Sequence, residues 1–123
     1  MDIKEQVCDP KLAAELKRLG VKQDSVYYWD SQGNLRQTRD AVAAFTVAEL
    51  GEKLPSHINI SGKLYWLTTH RYGTETWKTG YESYARYWLF DNEDSSEANT
   101  KARSLITCIN NGYIKDVDWL EVT

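Results

Sequence analysis

Residues 63–90, KLYWLTTHRYGTETWKTGYESYARYWLF, decide how this chain folds. The stretch is dense in β-branched and aromatic side chains, which suit a pleated, half-buried surface. Leu64 to Thr69 reads as one strand and Tyr84 to Phe90 as another. Thr74 to Lys78 supplies a third between them, with Gly73 and Gly80 marking turns. The connections are too short for crossovers, so the pairing is expected to be antiparallel.

Strand alternation sorts the last of these segments into two faces. Ala85, Tyr87 and Leu89 share one side, and Tyr84, Arg86, Trp88 and Phe90 share the other. Helices can cover one face of a sheet. If they cover Ala85, Tyr87 and Leu89, then Tyr84, Arg86 and Trp88 point outward, with Trp66 and His70 as neighbours on an adjacent strand. Such a stripe is a stacking platform or a protein-contact patch. The candidate binding residues are therefore Trp66, His70, Lys78, Tyr84, Arg86 and Trp88.

The flanking sequence provides the helices. Asp9-Pro10 opens the first, because the Asp carboxylate accepts free N–H groups and Pro gives up a donor that has no partner there. Leu12, Leu16 and Leu19 then form an apolar stripe that Gly20 closes. Thr46 and Glu49 fit a capping box for a short second helix that ends at Pro55. Asp94 and Glu97 fit another, opening a third helix through Ala98, Ala102, Leu105, Ile106 and Ile109 to Asn111-Gly112. The acidic run 91–96 reads as the loop leading into it. Weaker strands are expected over Ser25–Asp30 and Leu35–Arg39, with a final extended segment over Lys115–Thr123. The sum is a single α+β domain over residues 1–123, an antiparallel sheet of about four to five strands with three helices packed mainly on one face.

Composition agrees with a globular chain. Its 123 residues are 41% hydrophobic and 27% charged, with five Trp, eight Tyr and two Phe. The net charge of −3 gives no bulk basic excess for a phosphate backbone. Locally, Lys63, Arg71, Lys78 and Arg86 outnumber Glu75 and Glu82, a net of +2 that is thin for nucleic acid. No apolar run approaches the roughly 20 residues that span a bilayer, and the charged N-terminus lacks a signal-peptide core. A cytoplasmic setting without membrane partners is the expectation, with Cys8 and Cys108 as reduced thiols, Cys108 buried on its helix.

Motifs for chemistry are missing. The chain holds no GxSxG, HExxH, Walker or GxGxxG signature, and His57 and His70 have no zinc-like spacing with the cysteines. No catalytic residue, metal ligand or cofactor is assigned.

Three islands do resemble a family. They are Leu16 to Ser25 running into Tyr28-Trp29, Ala44 to Pro55, and Ala102-Arg103-Ser104-Leu105 through Asn111-Gly112-Tyr113-Ile114. Together they resemble small proteins encoded by prophages and mobile elements of gut bacteria, over roughly 40% of the chain, in order and spacing as well as in residues. The resemblance brings no activity and no catalytic residues. It implies an accessory protein of a mobile element, made in the bacterial cytoplasm, whose family-like residues are caps and core positions.

The resulting expectation is a non-enzymatic module that contacts another protein through the outward aromatic face. The alternative is single-stranded nucleic-acid binding, by stacking on Trp66, Tyr84 and Trp88 with Arg86 and Lys78 near the backbone. A third option, a small-ligand or enzyme site, requires a pocket that joins His57 or His70 to a carboxylate.

Overall fold

A computed structural model describes residues 2–121. The Asp9 carboxylate accepts the Leu12 N–H at 2.8 Å and starts α1 (Pro10–Arg18), with Pro10 in its first turn. Leu12, Ala13 and Leu16 form its buried stripe. After Gly20, Val21 bridges Leu120, and the Glu121 N–H donates to the Gly20 carbonyl at 2.7 Å. Gly20 has φ +95°, and a Cβ there would run into the Glu121 carbonyl oxygen, so this crossing admits glycine alone. The expected C-terminal extended segment is thus a single bridge, and residues 122–123 of it lie outside the described residues.

A small sheet follows. It comprises β1 (Tyr28–Trp29), β2 (Leu35–Arg36) and β3 (Val42–Ala43), in the order β2-β1-β3. The strands are shorter than Ser25–Asp30 and Leu35–Arg39, since residues 37–40 have little to bury and stay exposed. Trp29 is buried and its indole N–H donates to the Cys8 carbonyl at 2.9 Å, which ties this sheet to the start of α1.

The capping box of α2 (Val47–Lys53) is complete, with the Glu49 N–H on Thr46 Oγ1 at 3.1 Å and the Thr46 N–H on Glu49 Oε1 at 2.9 Å. The same carboxylate also accepts from Ser25 Oγ at 2.8 Å and from the Val26 N–H at 3.2 Å. One glutamate thereby clamps the helix to the loop before β1.

The second sheet is an antiparallel meander of four strands, β4 (His57–Ile60), β5 (Lys63–Tyr72), β6 (Thr76–Glu82) and β7 (Trp88–Asp94), in that order. The chain therefore forms an α+β fold with two antiparallel sheets rather than one. Several boundaries differ from the expectation. β5 runs past Thr69 to Tyr72, and β6 starts at Thr76 and runs beyond Lys78 to Glu82, with Gly80 paired on both sides instead of marking a turn. Residues 83–87 form a turn, closed by Arg86 N–H to Ser83 O and Ser83 N–H to Tyr87 O at 2.9 Å each. Arg86 takes φ +67° there, so the alternation assumed for Tyr84–Trp88 does not exist and β7 begins only at Trp88. At its other end β7 runs through Asp91–Asp94, which the acidic composition had suggested was loop.

The third helix, α3 (Glu97–Asn110), is capped by Ser96 Oγ, which accepts the Asn99 N–H at 3.1 Å. Asp94 instead accepts the Ser96 N–H at 3.0 Å, two residues before the cap, so the expected Asp94–Glu97 box gives way to a serine cap. This helix lies on β6 and β7, and α1 and α2 pack against it in turn. Its contact with the sheet is polar as well as apolar. Thr79 Oγ1 meets Thr100 Oγ1 at 2.8 Å and Thr69 Oγ1 at 3.2 Å. Lys101 Nζ donates to Thr69 Oγ1 at 3.0 Å, and Ser104 Oγ donates to the Thr79 carbonyl at 3.1 Å. These bonds fix the register of α3, while Leu16, Phe45, Leu50, Tyr81 and Leu105 fill the apolar core without exposure.

Candidate functional site

Thr69 and Thr79 bond residues of α3, so the odd-numbered residues of β5 and β6 face the helix and the even-numbered ones face away. Register then builds the outer face in rows. Trp66, Glu82 and Trp88 stand abreast across β5, β6 and β7. Thr68, Gly80 and Asp91 form the next row, and His70, Lys78 and Glu93 the one after. Trp66, His70, Lys78 and Trp88 therefore do share one face. Tyr84 joins them from the 83–87 turn instead of from a strand, its ring centroid 6.4 Å from that of Trp66.

Contacts between the rows make a continuous aromatic surface. His57, on β4, lies 5.2 Å from Trp66 by ring centroids, and His70 lies 6.0 Å from Tyr72 and 5.9 Å from Trp88. The expectation that Trp66 and His70 sit on a strand adjacent to that of Trp88 does not hold, since β6 separates β5 from β7. Trp88 instead reaches across. Its ring starts level with Glu82 yet approaches His70 and Lys78, two rows on, so it passes over Gly80. The adjacent strand requires that glycine as well, because a Cβ would lie 2.7 Å from Asp91 Cα on β7 and closer still to the Phe90 carbonyl oxygen.

Solvent reaches much of this surface. Tyr84 is 85% exposed, Tyr72 49% and Trp66 37%.

The cations are already engaged. Lys78 Nζ lies 5.4 Å from the Tyr72 ring and 5.4 Å from the Trp88 ring, 3.2 Å from Glu93 and 4.0 Å from Asp91. The Glu93 carboxylate raises the Lys78 ammonium above its ordinary value. Two other lysines are flanked alike, Lys63 by Tyr65 and Tyr87, and Lys53 by Phe45 and Trp119. Arg86, in the turn, sits 3.7 Å from Glu82. Glu82, Asp91 and Glu93 put three carboxylates on the face against these two cations.

The strands expected from sequence leave His57 and Glu82 outside them and make Asp91 and Glu93 part of a helix lead-in. The signal for β4 was present, with Ile58 and Ile60 alternating before Ser61-Gly62, a two-residue turn with φ +52° and +89°. Nothing in the sequence placed Glu82 between two tryptophans.

A separate open cleft of about 900 Å³ lies where the starts of α1 and α3 meet. Asn99 joins them, accepting the Asp9 N–H at 2.9 Å and donating to Asp94 at 3.3 Å. Lys4, Arg71, Trp77 and Glu97 line the cleft, whereas neither His57 nor His70 does. Among the described residues, no group of three His, Cys, Asp or Glu side chains is placed to hold a metal ion. Cys8 and Cys108 are both free and buried, and burial pushes each thiol up to about 12, which makes them poor nucleophiles at neutral pH. No helix among the described residues is long and apolar enough to cross a membrane.

The fold and its surface thus define a small α+β domain with a half-open aromatic sheet face. No protein family, curated protein or solved structure matches the chain.

Proposed function

We propose that the protein is a non-enzymatic binding module whose outer sheet face, around Trp66, Tyr84 and Trp88, docks another protein. The observation that carries this reading is the pairing of charge on that face. Lys78 is held by two rings and two carboxylates and is not free to neutralise a phosphate, and the charge of Arg86 is offset by the Glu82 carboxylate 3.7 Å away. Trp66, Tyr72 and Tyr84 meanwhile keep aromatic area open to solvent. Aromatic area with paired charges is how protein-binding surfaces are made. Single-stranded nucleic acid needs the rings together with free cations, and a carboxylate-bearing face repels its backbone. The mobile-element setting implied by the three sequence islands belongs to the same proposal, as an accessory protein of the bacterial cytoplasm.

The test is a cross-linking pull-down from bacterial lysate with wild type and with the Tyr84→Ala/Trp88→Ala double variant. Loss of a cross-linked partner, with the link mapped to the outer face in wild type, supports the reading. Recovery of the same partners by both proteins sinks it. Concentration-dependent dimerisation of the pure wild type, abolished in the double variant, would make a second copy the occupant and overturn the partner reading. Salt-sensitive binding of a labelled single-stranded oligonucleotide would overturn it in favour of nucleic acid.

A further inference from the structure

The Trp66–Glu82–Trp88 row contains a carboxylate in an unusual place. Glu82 is opposed by Trp66 on β5 and by Trp88 on β7, and its side chain is only 12% exposed. Among the described residues, its ion pair is with Arg86, at 3.7 Å, beyond hydrogen-bond length. Arg86 itself is 78% exposed and sits on a turn at φ +67°. A largely covered carboxylate whose ion-pair partner stays 3.7 Å away and exposed can still accept a closer, hydrogen-bonded cation.

Other aromatic groups on the same sheet show what completes such a site. Lys78 lies against Tyr72 and Trp88 and meets Glu93 at 3.2 Å, giving rings, cation and carboxylate together. Arg71 stacks over Trp77 at 5.2 Å. The Trp66–Tyr84 pair has the rings, and Glu82 beside Trp66 has the carboxylate. Among the described residues, the cation paired with Glu82 there is the Arg86 guanidinium, at 3.7 Å.

Resting on the docking role proposed above, we infer that the partner anchors on this face through an arginine side chain, which stacks on Trp66 and Tyr84 and displaces Arg86 from Glu82. A guanidinium fits this position better than an ammonium. Its plane lies flat on an indole while its edge presents two N–H donors to one carboxylate. Arg86 then acts as an internal competitor that occupies the site in the free protein, so removing it strengthens binding.

The experiment titrates ¹⁵N-labelled protein with the peptide acetyl-Gly-Arg-Gly-amide and with its neutral citrulline counterpart, following the Trp66 indole N–H. The arginine peptide is expected to bind with a dissociation constant on the order of millimolar, and at least about fivefold more tightly than the citrulline peptide. Glu82→Gln is expected to weaken it about tenfold. Arg86→Gly, which suits the positive φ and keeps the turn, is expected to tighten it severalfold. Equal binding of the two peptides overturns the inference, as does absence of any shift at Trp66. A loss of affinity in Arg86→Gly also overturns it, because Arg86 would then be a contact for the ligand. These failures are distinct from failure of the docking role. A partner lost from the Tyr84→Ala/Trp88→Ala variant but unaffected by Glu82→Gln and Arg86→Gly leaves the face as a docking surface without an arginine anchor.

Discussion

The rings of His70 and Trp88 meet edge-on at 5.9 Å although β6 runs between their strands. The contact is feasible because Gly80, midway between them, has no side chain to intervene. The outer face is therefore organised around an absence in β6, and several measurable consequences follow from how its neighbours fill that gap.

Gly80→Ala drives a methyl group into the Phe90 carbonyl and Asp91 Cα, backbone atoms that cannot swing aside. A loss of about 2 kcal/mol or more in urea unfolding is expected, together with a changed Trp emission as the Trp88 indole is displaced. Gly51→Ala is the contrast. It sits inside α2 with open space around its Cβ, and replacement there is expected to stabilise by about 0.5–1 kcal/mol. Equal effects of the two substitutions would contradict the packing described for β6 and β7.

Thr100→Val keeps shape but removes the hydroxyl that meets Thr79 in the buried layer beneath α3. Unfolding free energy is expected to fall by about 1–2 kcal/mol. At Thr107, a half-buried position of the same helix whose hydroxyl bonds the Arg103 carbonyl at the surface, the identical change is expected to stay within about 0.5 kcal/mol.

Solvent access to the tryptophans differs sharply between the two sheets. Trp66 is 37% exposed and Trp29 is 5% exposed. Trp66→Phe is therefore expected to remove more of the acrylamide-quenchable emission than Trp29→Phe. The reverse order would mean that the aromatic face is closed in solution.

Alkaline pH should weaken the fold through the two cysteines. Burial raises both thiols from an ordinary value of 9.0 to about 12, so the folded chain keeps protons that the unfolded chain releases. Their contribution is fully present below pH 9 and is lost as pH climbs toward about 12, by up to ~1.4 kcal/mol per pH unit for each thiol. Burial raises the Tyr81 phenol as well, in the same sense. Urea midpoints taken at pH 8 and pH 10.5 under reducing conditions are expected to converge in the Cys8→Ala/Cys108→Ala variant relative to wild type.

Local chemistry made the helices readable. Asp9-Pro10, the Thr46–Glu49 box and the apolar stripe of Leu12 and Leu16 each act within one or two turns, and each forms as its sequence implies. The strand ends were less accessible, since tertiary pairing sets them. Tyr84 to Tyr87 has strand composition, but the turn from β6 to β7 must be made somewhere, and Arg86 accepts a left-handed conformation to make it. Asp91 to Asp94 has loop composition, yet pairing with β6 draws it into the sheet, where Glu93 finds Lys78 and Asp94 reaches the start of α3. Alternation alone did not give the outward face, since the register shift at Tyr81/Glu82 sets Phe90, expected beside Trp88, level with the inward Tyr81 while Trp88 stands level with Glu82. Nor did it place Glu82 between the tryptophans, because cross-strand register is a property of two segments at once.

The ring-flanked lysines make the molecule its own reporter. Magnetic shielding above an aromatic ring moves nearby proton resonances upfield, so the ε-methylenes of Lys53, Lys63 and Lys78 stand apart from those of the freely hydrated lysines. Each signal watches a different region: Lys53 the α2–C-terminal junction, Lys63 the hairpin tips, and Lys78 the centre of the outer sheet. A spectrum recorded during titration or heating would show which region loosens first, without any label being attached.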